Sequence, residues 1–264
     1  MTGNEDINID FFQEQGYVIC SGLIPKPIVA GLREFLESNV DDALTKVAEE
    51  LGGIEKDIPS SVRRLNDEGR LADLSQTAKS ILSGHFPLEV RLSRNFWEVP
   101  RCRSFRQMLE ALISADKIFM HMPPAARFVS PGNLHAGVPA HQDVAYGSHM
   151  SDFITVWVPL VDIDEHCGGV AVFEASHVAS LDVPQHDGEF WLRPLSTNGF
   201  RRVECRLDAG DALVLHKHVI HESVGNRSDR TRLSVDFRFF GEGQSSSKHY
   251  LDLQTWEVVS PHAT

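Results

Sequence analysis

Cysteine is scarce in this 264-residue chain: four are present, Cys20, Cys102, Cys167 and Cys205, and no two form a C-x-x-C pair. That spacing excludes a zinc knuckle and a disulfide framework, and fits a reducing compartment. Positive charge is also short, with 25 Lys and Arg against 37 Asp and Glu and a net charge of −12. No broad basic surface is available for a nucleic-acid backbone or an anionic membrane, so the expected partner is a small-molecule substrate. There is no apolar run of about 18 residues, the length a membrane span needs. The opening Met-Thr-Gly-Asn-Glu-Asp lacks the basic and then apolar stretch of a secretory leader. A cytoplasmic protein, monomeric or homodimeric, with neither nucleic acid nor membrane as partner, is therefore expected. Internal repeats and long linkers are missing too, which points to a single domain over residues 1–264.

What is present divides the chain by periodicity. Residues 1–116 read as mainly helical. Ile28, Leu32, Phe35 and Leu36 recur at helix spacing after Pro25 and Pro27, and similar patterns cover Asp41–Leu51, Leu71–Leu82 and Ser104–Ala115. Residues 117–240 change to short apolar runs punctuated by Gly, Pro, Asp and Asn, as in a β-sandwich or barrel. Expected strands are Lys117–Met122, Ala126–Val129, Phe153–Val161, Val170–Glu174, Arg202–Leu207, Ala212–His221 and Arg232–Phe240. Residues 178–201 and 241–249 read as loops, and 241–264 as a C-terminal extension. The fold class expected is mainly β with flanking helices.

Two segments carry chemistry. His141-Gln-Asp143 sets a histidine and an aspartate two residues apart. On an extended strand both leave the same face, where they can grip one ion. About eighty residues later Ala212-Leu-Val-Leu-His-Lys-His-Val-Ile-His221 offers three further histidines. Parity puts His216 with His218 and sets His221 on the opposite face unless a bulge intervenes, and His221 lies at the strand end, where a ligand reaches a barrel mouth. Two histidines and one carboxylate leave part of a metal's coordination open, the donor set of non-haem Fe(II) oxygenases. Arg232 and Ser234 share one face of the next strand. An arginine there can fork onto a carboxylate while the serine adds a hydroxyl.

With these residues in view the chain resembles the phytanoyl-CoA dioxygenase-like branch of the Fe(II)/2-oxoglutarate-dependent oxygenases. The resemblance begins at Phe11-Phe-Gln-Glu-Gln-Gly-Tyr-Val-Ile19 and continues through Leu23-Ile-Pro25, His141-Gln-Asp143 and Val156-Trp-Val-Pro-Leu-Val-Asp162. It extends over Cys167-Gly-Gly169, Ala175-Ser-His177 and Gly210-Asp-Ala-Leu-Val-Leu-His216 to His221 and Arg232. It implies a double-stranded β-helix, a cupin-like jelly roll, with the N-terminal helices packed on one sheet. It also implies His141, Asp143 and His221 as catalytic iron ligands. Arg232 would bind the far carboxylate of 2-oxoglutarate, and its spacing from His221 favours it over Arg230. Thr155 and Trp157 would lie beside that cosubstrate, with Ser234. Met122 stands where relatives often carry a lysine, so Arg127 or Asn133 is expected to substitute. Ala175 replaces a commoner glycine, a change expected to be benign unless a positive φ is required.

The cofactors implied are Fe(II), 2-oxoglutarate and O₂, with 2-oxoglutarate converted to succinate and CO₂ while an unactivated C–H bond is hydroxylated. An intact Asp143 speaks against halogenation, because halogenating relatives replace that carboxylate with Gly or Ala. Candidate substrate residues are Arg127, Asn133, Tyr146 and His149, with Arg91 and Arg94 in the 85–100 segment; these arginines suggest an anionic or polar metabolite or natural-product intermediate. The competing reading is a non-oxidative cupin-like isomerase or binding protein, which would need no anchor such as Arg232 and Ser234.

Overall fold

The computed structural model describes residues 7–51, 58–71, 73–147, 149–179 and 193–261. Eight strands form one sheet in the order β1 (Tyr17–Cys20), β7 (Ala212–His216), β4 (Ile154–Pro159), β9 (Arg232–Gly241), β2 (Ile118–His121), β10 (Tyr250–Asp252) and β11 (Val258–Val259), with β3 (Ala125–Val129) also paired to β9. A second sheet has the order β6 (Arg202–Glu204), β5 (Val170–Phe173) and β8 (His221–Ser223). Every strand pairing in both sheets is antiparallel. Segments expected to belong to a C-terminal extension thus complete the main sheet, since β10 adds to β2.

The alternation along β9 sorts its side chains between two environments. Leu233, Val235, Phe237 and Phe239 are at most 1 % exposed and join the core beneath the helices. There α8 (Arg103–Ile113) lays Phe105 against Phe237 and Phe239, with ring centroids 6.3 and 5.7 Å apart. Each buried phenylalanine contributes about 1.5–3 kcal/mol of transfer free energy. The even positions, Arg232, Ser234, Asp236 and Arg238, project from the opposite face toward the second sheet. Between the sheets a smaller apolar cluster of Trp157, Val170, Val172, Leu213 and Leu215 closes the interior.

Two expectations are revised by the backbone. Ala212–His221 is not one strand: β7 ends at His216, the chain turns, and β8 begins at His221 in the other sheet. The parity argument across those ten residues therefore has no continuous strand to run along. Ala175 sits at φ 55° and ψ 11°, the left-handed region, so the alanine there is strained and the replacement of glycine is not neutral. Among helices, α3 (Val40–Leu51) follows the expected range closely. The helix expected over Leu71–Leu82 shortens to α5 (Gln76–Leu82), because Ser75 caps it through the Ala78 amide.

Candidate metal and cosubstrate site

His141 and His221 face each other across an isolated antiparallel bridge, each amide donating to the other's carbonyl at 2.9 Å. Directly opposed residues send their side chains to the same side of the sheet. The imidazole centroids are accordingly 4.2 Å apart. Each Nδ1 meets a backbone carbonyl, Pro139 at 2.8 Å and Val219 at 3.1 Å. Those carbonyls fix the tautomer with the proton on Nδ1 and leave the Nε2 lone pair for a metal.

Asp143 opens a one-turn 3-10 segment, Asp143–Ala145, after the extended Gln142. Gln142 points away, donating to the His218 carbonyl at 2.6 Å, while Asp143 turns toward the histidines. Its Oδ1 is 3.9 Å from His141 Nε2 and its Oδ2 is 4.0 Å from His221 Nε2. Among the described residues this buried trio is the one group of three His, Cys, Asp or Glu able to hold a metal, with all donor atoms within 4.8 Å of one another. Burial pushes His141 down to about 3, with His221 adding to the effect, so the ring is neutral and ready to ligate. For Asp143 burial acts upward, but Arg238, the two histidines and Thr155 outweigh it and hold the carboxyl below its ordinary range. His216 and His218 stay outside: His216 packs near His177, with centroids 5.2 Å apart.

Sheet register explains who surrounds the triad. Thr155 pairs with Arg238 across β4 and β9, and Trp157 with Asp236. The first pair holds both carboxylate oxygens of Asp143: Thr155 Oγ1 donates to Oδ2 at 2.6 Å, and Arg238 Nη2 to Oδ1 at 3.0 Å. The Thr155 hydroxyl, expected beside the cosubstrate, is thus committed to the aspartate. Arg238 was not singled out from sequence, although extending the alternation Arg232, Ser234, Asp236 by two residues reaches it.

A cavity of about 250 Å³ opens onto the triad, lined also by Trp157, Arg232, Asp236 and Arg238. At its far pole Arg232, 2 % exposed, donates through Nη1 to the Gly169 and Val224 carbonyls at 3.1 and 3.3 Å. Burial and then Arg127 lower its pKa to about 10, which leaves it charged at neutral pH. Its Nε and the Ser234 Oγ are both buried without a hydrogen-bond partner among the described residues, although Ser234 is not part of the cavity lining. Two orphaned groups on one strand face, next to a cationic fork, fit the far carboxylate of a dicarboxylate. Gly168 lets the turn before β5 pack against the Val224–Gly225 backbone: at φ 62° a Cβ would lie 2.4 Å from the Gly225 carbonyl oxygen. Arg230 lies elsewhere, half exposed and paired with Asp164 at 2.8 Å.

The expected substrate residues separate. Arg127 and Tyr146 line the cavity. Arg127 spends donors on the Ser83 and Ala136 carbonyls, and the Tyr146 ring stands edge-on to His141 at 5.1 Å. Asn133 donates to the Leu82 carbonyl at 3.1 Å and is absent from the lining of this cavity. His149 is likewise outside the lining, its ring 4.4 Å from that of His121.

A His-Asp-His group set between two antiparallel sheets, with open space on one side, defines the double-stranded β-helix class to which non-haem iron oxygenases belong. Within that class the chain belongs to the phytanoyl-CoA dioxygenase (PhyH) family, whose profile matches residues 12–234. A 1-deoxypentalenic acid 11-beta-hydroxylase from Streptomyces exfoliatus is 29% identical over 156 residues, 54% of this chain and 53% of that protein. The alignment thus spans about half the length of that relative. Solved structures share the fold. The nogalamycin-biosynthesis epimerase SnoN, alpha-ketoglutarate dependent, superposes with a TM-score of 0.60 at 18% identity, covering 90% of this chain and 83% of SnoN. EvdO2 from Micromonospora carbonacea var. aurantiaca, complexed with 2-oxoglutarate, gives 0.58 at 16% identity, covering 93% of each chain.

Proposed function

We propose that this protein is an Fe(II)/2-oxoglutarate-dependent dioxygenase that hydroxylates an unactivated C–H bond of a small polar metabolite or natural-product intermediate, working in the cytoplasm as a monomer or homodimer. The observation that carries the reading is one cavity holding a buried His-Asp-His donor set at one place and, at another, a buried arginine whose Nε has no partner among the described residues; Ser234, outside the lining, lies two residues on along the same strand face. A metal-dependent isomerase needs the first and has no use for the second. The S. exfoliatus relative is named as a hydroxylase, which supports the same outcome, as does the intact Asp143.

His141 Nε2, His221 Nε2 and an Asp143 oxygen would hold the iron. When bound there, iron supplies the activation of O₂, coupled to oxidative decarboxylation of 2-oxoglutarate. The chain's own contribution is placement and shielding. Pro139 and Val219 carbonyls orient the two imidazoles, while Thr155 and Arg238 fix the carboxylate plane. Arg232 and Ser234 would receive the far carboxylate of the cosubstrate, and Trp157, 3 % exposed, walls water from the space between.

Anaerobic addition of Fe(II) and 2-oxoglutarate is expected to give a weak visible charge-transfer band in wild type and none in His141→Ala. Aerobic incubation is expected to release succinate in wild type alone. A wild-type protein that shows no band and no succinate at millimolar 2-oxoglutarate would sink the oxygenase reading.

A further inference from the structure

Beside the metal site, Arg91 and Arg238 line the cavity, with His121 and His149 close by them but outside its lining, and the cosubstrate pole at Arg232 uses none of the four. The β2–β9 ladder pairs Met120 with Phe239, which brings His121 level with Arg238 on the next step of the same register. Arg238 lies six residues from Arg232, about 20 Å farther along the strand. The His121 ring stacks obliquely on His149 at 4.4 Å, and Arg91, at the end of the short helix Leu88–Arg91, lines the cavity with Arg238.

Four nitrogens in this group are buried without a hydrogen-bond partner among the described residues: Arg91 Nε, His121 Nδ1, His149 Nε2 and Arg238 Nε. Leaving one such donor unpaired costs about 1–3 kcal/mol, so an acceptor reaching the two arginine Nε–H groups, and the histidines in the tautomers that donate, would be stabilised. The charge that acceptor must carry is negative. Burial first, then His149, Arg238, Lys248 and Arg91, pushes His121 down to about 3. Burial, Lys248 and Arg238 push His149 down to about 4. The charges bearing on both rings are thus cationic. The cavity as a whole is lined by four arginines against three acids, one of which, Glu222, is already paired with Arg202 at 2.7 Å. A cation is a poor occupant: no carboxylate or thiol joins the two histidines in a metal-capable group among the described residues.

We propose that Arg91, His121, His149 and Arg238 form an oxyanion subsite that holds a carboxylate or phosphate group of the substrate, so that the enzyme selects anionic substrates. The word substrate rests on the oxygenase reading above; the anion site itself does not. Arg238 then serves both ends, with Nη2 on Asp143 and Nε toward the anion, which ties the substrate's charged group to the side of the metal away from Arg232.

Calorimetric titration of the metal-free protein with benzoate and with inorganic phosphate tests the subsite without turnover. At least one probe is expected to bind in the millimolar range or tighter, and the stronger one names the group. Arg91→Gln and His149→Gln are each expected to weaken it at least tenfold, while Arg232→Lys leaves it within twofold. Binding of neither probe, binding that survives both the Arg91 and His149 substitutions, or binding lost in Arg232→Lys would overturn the proposal. A second readout uses paired acids and their methyl esters in a succinate-release screen: acids are expected to stimulate release at least tenfold more than their esters. Equal stimulation overturns anion selection while the oxygenase stands. Absence of the wild-type charge-transfer band overturns the oxygenase while leaving the calorimetric result untouched.

Discussion

Replacing Arg232 separates two tasks that one side chain performs. Its Nη1 donates to the Gly169 and Val224 carbonyls at 3.1 and 3.3 Å, while its Nε has no partner among the described residues. Arg232→Ala removes both; the Gly169 carbonyl keeps the Val224 amide as a donor at 2.9 Å, whereas the Val224 carbonyl loses its buried donor, which costs about 1–3 kcal/mol of stability. At about 2–4 °C per kcal/mol for a chain of this size, a loss of several degrees in Tm is expected. Arg232→Lys keeps the positive charge but not the planar fork, so it isolates the recognition task. A charge-assisted hydrogen bond contributes about 1.5–3 kcal/mol, which converts to roughly a 10- to 150-fold rise in the 2-oxoglutarate concentration needed for half-maximal band intensity. Iron binding measured without cosubstrate is expected to stay within about threefold in both variants, because Arg232 touches none of His141, Asp143 or His221. Arg230→Ala is the matched control, since Arg230 lies outside the cavity and pairs with Asp164 at 2.8 Å. The reasoning is refuted if Arg232→Lys binds 2-oxoglutarate as wild type does, or if Arg230→Ala produces the larger rise.

Ala175→Gly is expected to stabilise the protein. Relief of the left-handed backbone at φ 55° is worth about 1–2 kcal/mol and the glycine's extra unfolded-state freedom takes back about 0.5–1, so Tm should rise by about 1–4 °C; a fall would show that the backbone there carries no strain. Asp236, lifted by burial to about 6 despite Arg127, opposes folding above that pH, and the penalty fades as pH falls from about 6 through its ordinary 3.8. Metal-free Asp236→Asn should therefore exceed wild type by up to about 3 kcal/mol in denaturant titrations near pH 8, with the gap closing by pH 4, and a gap independent of pH contradicts the assignment.

The parts of the site that follow from alternation along one strand were readable in the sequence, and those set by chain crossings were not. Arg232, Ser234 and Asp236 share a face because β9 is regular over ten residues, and the same count reaches Arg238. Trp157 and Thr155 were placed on one face of β4 for the same reason, yet what Thr155 touches depends on Asp143 arriving from a different segment. The choice among His216, His218 and His221 was the hardest to justify locally. Parity selected His221 on the premise of a continuous strand, whereas the chain breaks at Lys217 and resumes in the other sheet. The strain at Ala175 was invisible because residue identity does not report φ. The pairing of His121 with His149 joins segments 28 residues apart in sequence, with neither residue in a recognisable motif.

That break between β7 and β8 is also what builds the metal site. A strand running straight from Ala212 to His221 would carry its last residue five places past the His216–Ile154 pair, beyond the start of β4 and still in line with the main sheet. By ending at His216 and crossing over, the chain delivers His221 to the second sheet, where it pairs both with Val172 on β5 and with His141 through the isolated bridge. Asp143 then reaches back to the main sheet, bonded to Thr155 of β4 and Arg238 of β9. The two histidines are therefore fixed by one layer and the carboxylate by the other, so the separation of the sheets sets the spacing of the donor atoms. A core change that altered that separation, for instance at Trp157 or Val172, would act on metal affinity without touching a ligand.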